Sequence, residues 1–363
     1  MAQNPVLPIT ITTPARVCLF GDHQDYLGLP IIAGAIDRHM TFEVAKNDRH
    51  VIVLDLADLG QKRELSLQEE QQQEPETIDF FKAGLRVAAR YGCHPTFGLN
   101  VRITSTIPIN AGISSSSALT VGWIKVLLYT FGCNASVTPA LIGQLAYQAE
   151  VLEHNSPGGQ MDQYTIAHGG LIFLETGKDL KIKPLPDPKL TMVLAESGIG
   201  KDTLGTIGQV RTKAQKAIAI VQKFHPDFDL KIALPKDVST YLKRLEPGLH
   251  PFFEAAINNH NITKKAKQHL TQSSPNPKKL GALMTAHHKQ LRDLLEVSHP
   301  KIDALIETGL SHGAYGAKIV GSGHGGCALF LTNENQAVYL VDHLKKAGAK
   351  DAYRINITSS HGA

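Results

Sequence analysis

The sequence predicts an α+β protein of two domains. At 363 residues, the chain exceeds the usual length of one domain. Residues 9–60 alternate apolar and polar side chains, the period of half-buried strands, and long helical patterns follow. Three prolines in "KPLPDPKL" favour an extended link near 185–190. We therefore expect an N-terminal domain of residues 1–187 and a C-terminal domain of residues 188–363.

Composition and charge narrow the class of partner. The chain carries 37 Lys and Arg against 33 Asp and Glu, a net charge of +4, and no basic block is interleaved with aromatic residues. We therefore expect no nucleic acid as a partner, whereas small anionic ligands suit the slight basic excess. No charged segment leads into an apolar one near Met1, and no apolar run reaches about 18 residues. We expect a soluble cytoplasmic protein with no membrane contact and leave its oligomeric state open.

The cysteines do not indicate a disulfide framework or a zinc site. Cys18, Cys93, Cys133 and Cys327 are scattered along the chain with no C-x-x-C spacing. Buried thiols are the default expectation for such residues.

Apolar periodicity and turn residues predict the later elements of the first half. The helix that ends near Phe131 is apolar nearly all round, so it should be buried and its start should lie in a cleft or in the interior. Thr138 and Pro139 form a good helix start. The predicted elements are a polar connector over 66–77, a helix over 78–92, a strand over 99–108, helices over 117–131 and 138–154, and a strand over 171–174.

The second half predicts a mainly helical segment that closes on strands. Element boundaries from such patterns carry errors of about two to four residues. The predicted helices cover 202–224, 236–245, 251–260, 278–296 and 300–312, and the predicted strands cover 316–321, 326–332 and 352–358.

A serine-rich stretch precedes the buried helix. "IPINAGISSSSALTVG" (107–122) holds four consecutive serines, more than the single side chain that caps an ordinary helix. Small residues at a helix start leave backbone amides and the positive end of the helix dipole open to phosphate. A polar turn with an N-cap is the simpler interpretation of the stretch alone. No G-x-x-x-x-G-K-[ST] occurs, which excludes the P-loop NTPase class.

Two further stretches indicate chemistry. "KIVGSGHGGCALFLT" (318–332) places four glycines between apolar strands, either for close backbone approach or simply as a wide hairpin turn. "PARVCLFGDHQDYLG" (14–28) groups Asp22, His23 and Asp25 after a strand. Carboxylates beside an imidazole suit a polyhydroxylated substrate, because each carboxylate accepts two hydroxyl hydrogens. An Asp-rich turn is the simpler alternative, and metal ligation by the trio is less favoured.

Taken together, the three stretches resemble the GHMP kinase family in order and spacing. "PARVCLFGDHQDYLG", "PINAGISSSSAL" and "GAKIVGSGHGGCALF" look like its motifs one, two and three, and the match spans essentially the whole chain. The galactokinase branch is nearest, since "GDHQDY" and "GGQMDQY" are similar to its signature segments, and 291–307 also looks like that branch. The resemblance implies an N-terminal domain of the ribosomal-protein-S5-like type and a ferredoxin-like C-terminal domain, with ATP and sugar meeting between them.

The resemblance also implies an activity and its residues. It implies a kinase that transfers the γ-phosphoryl group of MgATP to a sugar hydroxyl, the anomeric one as in galactokinase. Asp162 falls on the catalytic Asp and Arg16 on its partner, so Asp162 would accept the hydroxyl proton while Arg16 keeps it ionised. Ser116 and Glu150 fall on the magnesium-binding residues, and oxygen ligands suit that ion.

The same correspondence assigns the two substrate sites. The expected ATP-binding residues are Pro108, Asn110, Ala111, Gly112, Ile113, Ser114, Ser115, Ser116, Ser117, Gly321 and Gly323. The expected sugar-binding residues are Asp22, His23, Asp25 and the backbone of Gly159.

Two departures from the galactokinase pattern keep alternatives open. Asp22 stands where galactokinases have Glu, and "ESGIGKDTLGTIGQVRTKAQ" offers no counterpart for a sugar-contacting Tyr. Resemblance to heptose-phosphate kinases suggests a phosphorylated substrate, which Lys201, Arg211 or Lys213 could pair with unless these are solvated helix charges. A non-catalytic sugar sensor is a third alternative. The full catalytic set argues against the sensor.

Overall fold

Two β-sheets with their helices make up the protein. The computed structural model describes residues 7–67, 78–200 and 203–359, without the side chains of residues 203 and 204. Most of the predicted connector over 66–77, and Lys201, lie outside the described residues. The expected two-domain α+β fold is confirmed.

The first sheet has seven strands. Its order is β4-β3-β5-β2-β6-β7, with β1 paired to β2; β3 and β5 are parallel and the other pairs antiparallel. The strands are β1 (Ile9–Phe20), β2 (Ile31–Asn47), β3 (Val51–Leu56), β4 (Gln61–Ser66), β5 (Gly98–Ser105), β6 (Leu171–Glu175) and β7 (Lys181–Leu185). Its helices are α1 (Phe80–Arg90), α2 (Ser115–Phe131), α3 (Pro139–Tyr147) and α4 (Met161–His168).

Helix α2 is the buried centre of this domain. Its Trp123 has no exposed surface, and the indole Nε1 donates to the carbonyl of Phe81 on α1 at 2.9 Å. On the sheet side, Thr13 of β1 donates its hydroxyl to the carbonyl of Ala118 at 2.9 Å. The helix start is thereby held against β1, as the apolar character of α2 on all sides predicts.

The second sheet has the ferredoxin-like arrangement. Its antiparallel order β11-β8-β10-β9 belongs to a β-α-β-β-α-β succession with extra helices after β8. The strands are β8 (Thr191–Glu196), β9 (Gly316–Val320), β10 (Cys327–Thr332) and β11 (Asp351–Ile355). The helices are α5 (Thr203–Phe224), α6 (Val238–Leu242), α7 (His250–Leu270), α8 (Pro277–Lys289), α9 (Pro300–Ser311) and α10 (Glu334–Lys346).

Several predicted boundaries are wrong. The helix predicted over 251–260 extends to Leu270, and the buried helix begins at Ser115 instead of Ser117. The helices predicted to His154 and to residue 296 each end earlier and pass into a π-helical turn. The sequence patterns did not identify α4, α10, β7 or β8. Strand β7 contains Pro184, which fits because β7 is an edge strand paired only with β6.

The end of the chain crosses the predicted domain boundary. β7 ends at Leu185 in the first sheet and β8 begins at Thr191 in the second. Beyond β11, however, Ile357 bridges back to Ile36 of the first sheet, and the amide of Thr358 donates to a carbonyl of β2. The division between residues 187 and 188 stays a prediction.

No helix among the described residues is both long enough and apolar enough to cross a membrane. The cytoplasmic location stays a prediction.

Candidate active site

Four segments converge on one cleft between the two sheets. They are the end of β1 with the loop that follows it, the start of α2, the π-helical turn with the start of α4, and the glycine-rich turn between β9 and β10. Most of the cleft is lined by polar side chains and glycines: Arg16, Asp22, His23, Asp25, Tyr26, Asn110, Gly112, Ser114, Ser115, Ser116, Ser117, Glu150, Ser156, Gly158, Gly159, Asp162, Gln163, Gly321 and Ser322.

An arginine–aspartate pair lies at the centre of the cleft. Arg16 of β1 donates from Nε and Nη2 to the two carboxylate oxygens of Asp162 in the first turn of α4, each at 2.7 Å. A third donor of the guanidinium, Nη1, bonds the carbonyl of Gly112 at 2.8 Å. Burial lowers the pKa of Arg16, but attraction to Asp162 outweighs it and the pKa is raised. The guanidinium is thus a fixed positive charge beside Asp162.

The serine stretch leaves its helix start uncapped by a side chain. Ser114, the residue before α2, has φ 65° and does not cap the helix. Its hydroxyl instead donates to Oδ2 of Asp162 at 2.5 Å. The first-turn amides of α2, which have no partners within the helix, therefore lie at the cleft with the positive end of the helix dipole. An anion such as a phosphate group suits this position.

A second carboxylate lies beside the same serines. The hydroxyl of Ser117 donates to Oε1 of Glu150 at 3.0 Å, and Nε2 of Gln163 donates to Oε2 at 2.6 Å. Burial raises the pKa of Glu150, partly offset by the bond from Gln163, while the charge of Asp162 raises it further. The described residues contain no cluster of three or more His, Cys, Asp and Glu that could hold a metal ion. Glu150 with Ser116 is nonetheless a hard oxygen donor set that fits Mg²⁺ if phosphates and water complete its coordination.

Asp25 and Gly159 form the opposite wall of the cleft. The amide of Met161 donates to Oδ2 of Asp25 at 3.2 Å, and a Cβ added to Gly159 would lie 1.8 Å from that same oxygen. A side chain at this position would displace the carboxylate of Asp25. Burial raises the pKa of Asp25 to about 6, and the charge of Asp162 contributes to the rise. The hydrogen bond from the amide of Met161 partly offsets it, because it stabilises the charged carboxylate.

Asp22 does not present a free carboxylate to the cleft. Its Oδ2 accepts from Nζ of Lys318 at 2.6 Å and its Oδ1 from the amide of Gly321 at 2.9 Å. Burial alone would raise the pKa of Asp22, but Lys318, followed by His287, lowers it to about 2. These contacts do not support a direct sugar contact by Asp22; they join the motif-one loop to strand β9.

His23 lies between the two sheets. Its backbone has φ 62°, its Nδ1 lies 2.9 Å from the hydroxyl of Tyr26, and its Nε2 lies 3.1 Å from the carbonyl of Ser322. Both ring nitrogens therefore have partners, and the imidazole edge completes the wall between the loop and the glycine-rich turn.

The structure separates the predicted ATP-binding residues into two groups. Asn110, Gly112, the four serines and Gly321 line the cleft. Ala111 and Ile113 are buried beneath it, and Pro108 lines a separate surface pocket with Arg38 and Tyr353. Gly323, with φ 97°, lies outside the cleft lining; a Cβ there would meet the carbonyl oxygen of Val297 at 2.3 Å. The close neighbour that requires glycine at position 323 is therefore the backbone of Val297.

Several contact residues of the cleft were missed from the sequence. Tyr26 and Gln163 give no pattern beyond their place in a motif. Lys318 could have been noticed, because a lysine in the middle of an apolar strand needs a buried partner. Arg211 and Lys213, in contrast, were named from the sequence. Arg211 of α5 donates from Nη1 to the carbonyl of Pro157 at 3.1 Å, whereas the ammonium group of Lys213 lies over the ring of Phe252.

The two-domain fold, a helix start that suits an anion and the paired aspartate are the features of a small-molecule kinase. Comparison with known families agrees. Residues 79–170 match the GHMP kinases N terminal domain, residues 268–350 the GHMP kinases C terminal domain, and residues 3–46 the galactokinase galactose-binding signature. The chain belongs to the GHMP kinase family and is galactokinase-like within it.

Full-length relatives include two kinds of kinase. A galactokinase of Pyrococcus furiosus is 28% identical over 92% of each chain, and a mevalonate kinase of Thermococcus gammatolerans is 27% identical over 91% of this chain and 90% of that one. Among solved structures, a Lactococcus lactis galactokinase complexed with galactose has a TM-score of 0.85 at 22% identity, covering 97% of this chain and 94% of that one. A Methanococcus jannaschii mevalonate kinase has a TM-score of 0.74 at 23% identity, covering 97% and 99%. These structural likenesses concern the fold.

Proposed function

We propose that this kinase transfers the γ-phosphoryl group of MgATP to the anomeric 1-hydroxyl of a free sugar. The observation that carries the proposal is the Arg16–Asp162 pair, held between the serine-lined helix start and the pocket of Asp25 and Gly159. In this proposal, an anion site and a hydroxyl-binding site flank the carboxylate of Asp162. The galactose-binding signature over residues 3–46 supports a sugar as the acceptor.

In the proposed reaction, the oxygen of the sugar hydroxyl attacks the γ-phosphorus while Asp162 accepts the proton of that hydroxyl. The bond from that phosphorus to the bridging oxygen of ADP breaks, so the products are a sugar phosphate and ADP, with the proton held on Asp162. Arg16 stays positively charged throughout and offsets the negative charge that accumulates on the transferred group. The hydroxyl of Ser114, which donates to Oδ2 of Asp162, would give up that position to the sugar hydroxyl.

The phosphates and the sugar are held by different walls. The first-turn amides of α2 would bind the phosphate oxygens, and the carboxylate of Asp25 would accept hydrogens from two sugar hydroxyls. Ser116 and Glu150 would hold Mg²⁺, which neutralises phosphate charge when bound. His23 and the backbone of Gly159 would complete the sugar wall. For Asp22 we now propose a positioning role, since both its carboxylate oxygens are bonded within the protein.

A substrate panel tests the proposal. Purified protein is incubated with MgATP and, separately, with galactose, other free sugars, sugar phosphates and mevalonate, and products are followed by phosphorus NMR. We expect a sugar 1-phosphate from at least one free sugar. Phosphorylation of mevalonate with no product from any sugar would overturn the proposal, which matters because mevalonate kinases are among the relatives.

Arg211 favours a second candidate, in which the substrate already carries a phosphate. Its guanidinium donates from Nη1 to the carbonyl of Pro157, which lies between the cleft-lining residues Ser156 and Gly158. A heptose 1-phosphate kinase of Bacteriodes thetaiotaomicron shares the fold, with a TM-score of 0.67 at 14% identity over 97% of this chain and 96% of that one. This candidate requires product only from sugar phosphates in the panel, and a loss of that product in Arg211→Met.

A further inference from the structure

A second groove adjoins the loop that carries Asp25. Gly28 and Pro30 of that loop, strands β6 and β7, and helix α7 enclose a volume of about 910 Å³. We call it the basic groove and define it by Lys178, Lys181, Lys231, His260, Lys264 and Lys267. None of these six residues lines the catalytic cleft.

The lysines of the basic groove have no carboxylate partners within the described residues. The other charged residues that line it are Glu175 and Asp179, so the lining carries a net positive charge. Glu175 is paired elsewhere, with Lys183 at 3.0 Å. Lys267 is held over the ring of Phe173 at 3.8 Å, which fixes one ammonium group at the groove wall. Five ammonium groups against two carboxylates around one concave volume favour an anionic ligand.

A buried histidine supplies a different kind of contact. His260 is only 3% exposed, and its Nε2 lies 2.9 Å from the carbonyl of Lys231, to which it donates. Burial lowers the pKa of His260, so the ring is neutral and Nδ1 carries a lone pair. That Nδ1 is buried and has no hydrogen-bond partner in the part of the chain that the structure describes. Since an unpaired buried acceptor is costly, a ligand that offers a hydroxyl hydrogen would satisfy it.

We propose that the basic groove binds a small phosphate ester that also carries hydroxyl groups, at a site separate from the catalytic cleft. The lysines bind the phosphate as point charges, and Nδ1 of His260 accepts a hydrogen from a ligand hydroxyl. Sugar phosphates, including the product of the proposed reaction, belong to this chemical class.

Titration calorimetry with glycerol 3-phosphate tests the site directly. Inorganic phosphate serves as the bare anion and glycerol as the uncharged polyol. We expect glycerol 3-phosphate to bind more tightly than either, and the double variant Lys231→Ala/Lys264→Ala to weaken it about tenfold, since each exposed charge contributes a few-fold. Lys265→Ala is the matched control, because Lys265 neighbours Lys264 but does not line the groove. An affinity left unchanged by the double variant would overturn the proposal.

His260→Gln tests the hydroxyl contact. The glutamine amide can still donate to the carbonyl of Lys231, but the acceptor at Nδ1 is lost. We expect the affinity for glycerol 3-phosphate to fall to that for inorganic phosphate, with the thermal midpoint checking that the variant is folded. Equal affinities of the two probes in the unmodified protein would contradict the hydroxyl contact.

Galactose 1-phosphate, titrated in parallel, distinguishes product from other esters. Binding that the double variant weakens supports the product as a ligand of the groove, whereas binding that it leaves unchanged assigns the product to the catalytic cleft and the groove to other esters. None of these measurements needs turnover, so failure of the kinase assay and failure of this site are separate outcomes.

Discussion

At the scale of single residues, sequence motifs predicted the types of group in the cleft but not their contacts. Arg16 and Asp162 were expected to be partners because of their family positions. The bidentate geometry and the bond from Ser114 to Asp162 depend on residues 48 to 146 positions apart in the chain. No local pattern encodes such contacts. A lysine within an apolar strand is visible in the sequence, but for the same reason its pairing with Asp22 was not foreseen.

We expect Asp162→Asn to lower kcat by about 10²–10⁴-fold, because the amide cannot accept the hydroxyl proton. The dissociation constant of an ATP analogue should change little, since the start of α2 is intact. Steady-state kinetics and calorimetry measure the two quantities. Asp342→Asn, on the exposed face of α10, is the matched control. Unchanged turnover in Asp162→Asn would remove Asp162 from its proposed role.

The pKa of Asp25, about 6, predicts that kcat/KM for the sugar declines on the acid side of its pH profile. Because the pKa is raised, the carboxyl is neutral below pH 6 and cannot accept hydrogens from two sugar hydroxyls. We expect kcat/KM for the sugar to fall as the pH drops through 6, mainly through KM. Asp25→Asn should lower kcat/KM at pH 8 and lack this decline. A decline that persists unchanged in the variant would assign the titration to another group.

At the scale of elements, helices and strands with a clear pattern in their own residues were predicted, whereas elements that depend on contacts with the rest of the domain were not. Helix α2 was expected to be buried because it is apolar nearly all round. Helix α4 is short, the residue before it, Gln160, does not cap it with its side chain, and the helix is held by its contacts with the rest of the domain. Helix α10 did have a local signal, since Asn333 caps it by accepting from the amide of Gln336, and lysines occupy its last turn.

The loop before α4 can be tested by mutation, because its two adjacent glycines, Gly158 and Gly159, have different surroundings. Gly159→Ala would force a Cβ against Asp25, whereas a Cβ on Gly158 would meet nothing nearer than 3.5 Å. We expect Gly159→Ala to raise KM for the sugar at least tenfold by displacing the carboxylate, with a lower thermal midpoint. Gly158→Ala should leave both quantities close to those of the unmodified protein. Equal effects of the two substitutions would show that the contact with Asp25 is not what requires glycine.

At the scale of the whole molecule, the two sheets are joined by buried polar contacts. Lys318 of the second sheet has no exposed surface; its Nζ donates to Asp22 and, at 3.1 Å, to the carbonyl of Cys18 in β1. Asp22 and Lys318 are 296 positions apart in the chain. Chain length predicted two domains, and the family resemblance predicted that ATP and sugar meet between them. The joining pair arises only when the domains are placed together.

We expect Lys318→Met to reduce the free energy of unfolding at pH 7 by about 3–5 kcal/mol, because it leaves the carboxylate of Asp22 buried without its charged partner. The double variant Asp22→Asn/Lys318→Met should lose less, since no unpaired charge remains. Urea denaturation measures both. Equal losses in the single and double variants would contradict the ion-pair account.

The Asp22–Lys318 pair predicts that the stability of the unmodified protein and that of Lys318→Met change in opposite directions with pH. In the unmodified protein the pKa of Asp22 is held at about 2, below the value of about 4 for a free Asp, so the contribution of the pair is complete above pH 4 and is lost as the pH falls toward 2. In Lys318→Met, burial without the lysine raises the pKa of Asp22 above that of the unfolded chain, so protonation relieves the unpaired charge as the pH falls. The stability difference between the two proteins should therefore narrow from pH 7 to pH 4. A difference that is constant over this range would show that Lys318 stabilises the protein through packing, since only a charge interaction titrates with Asp22.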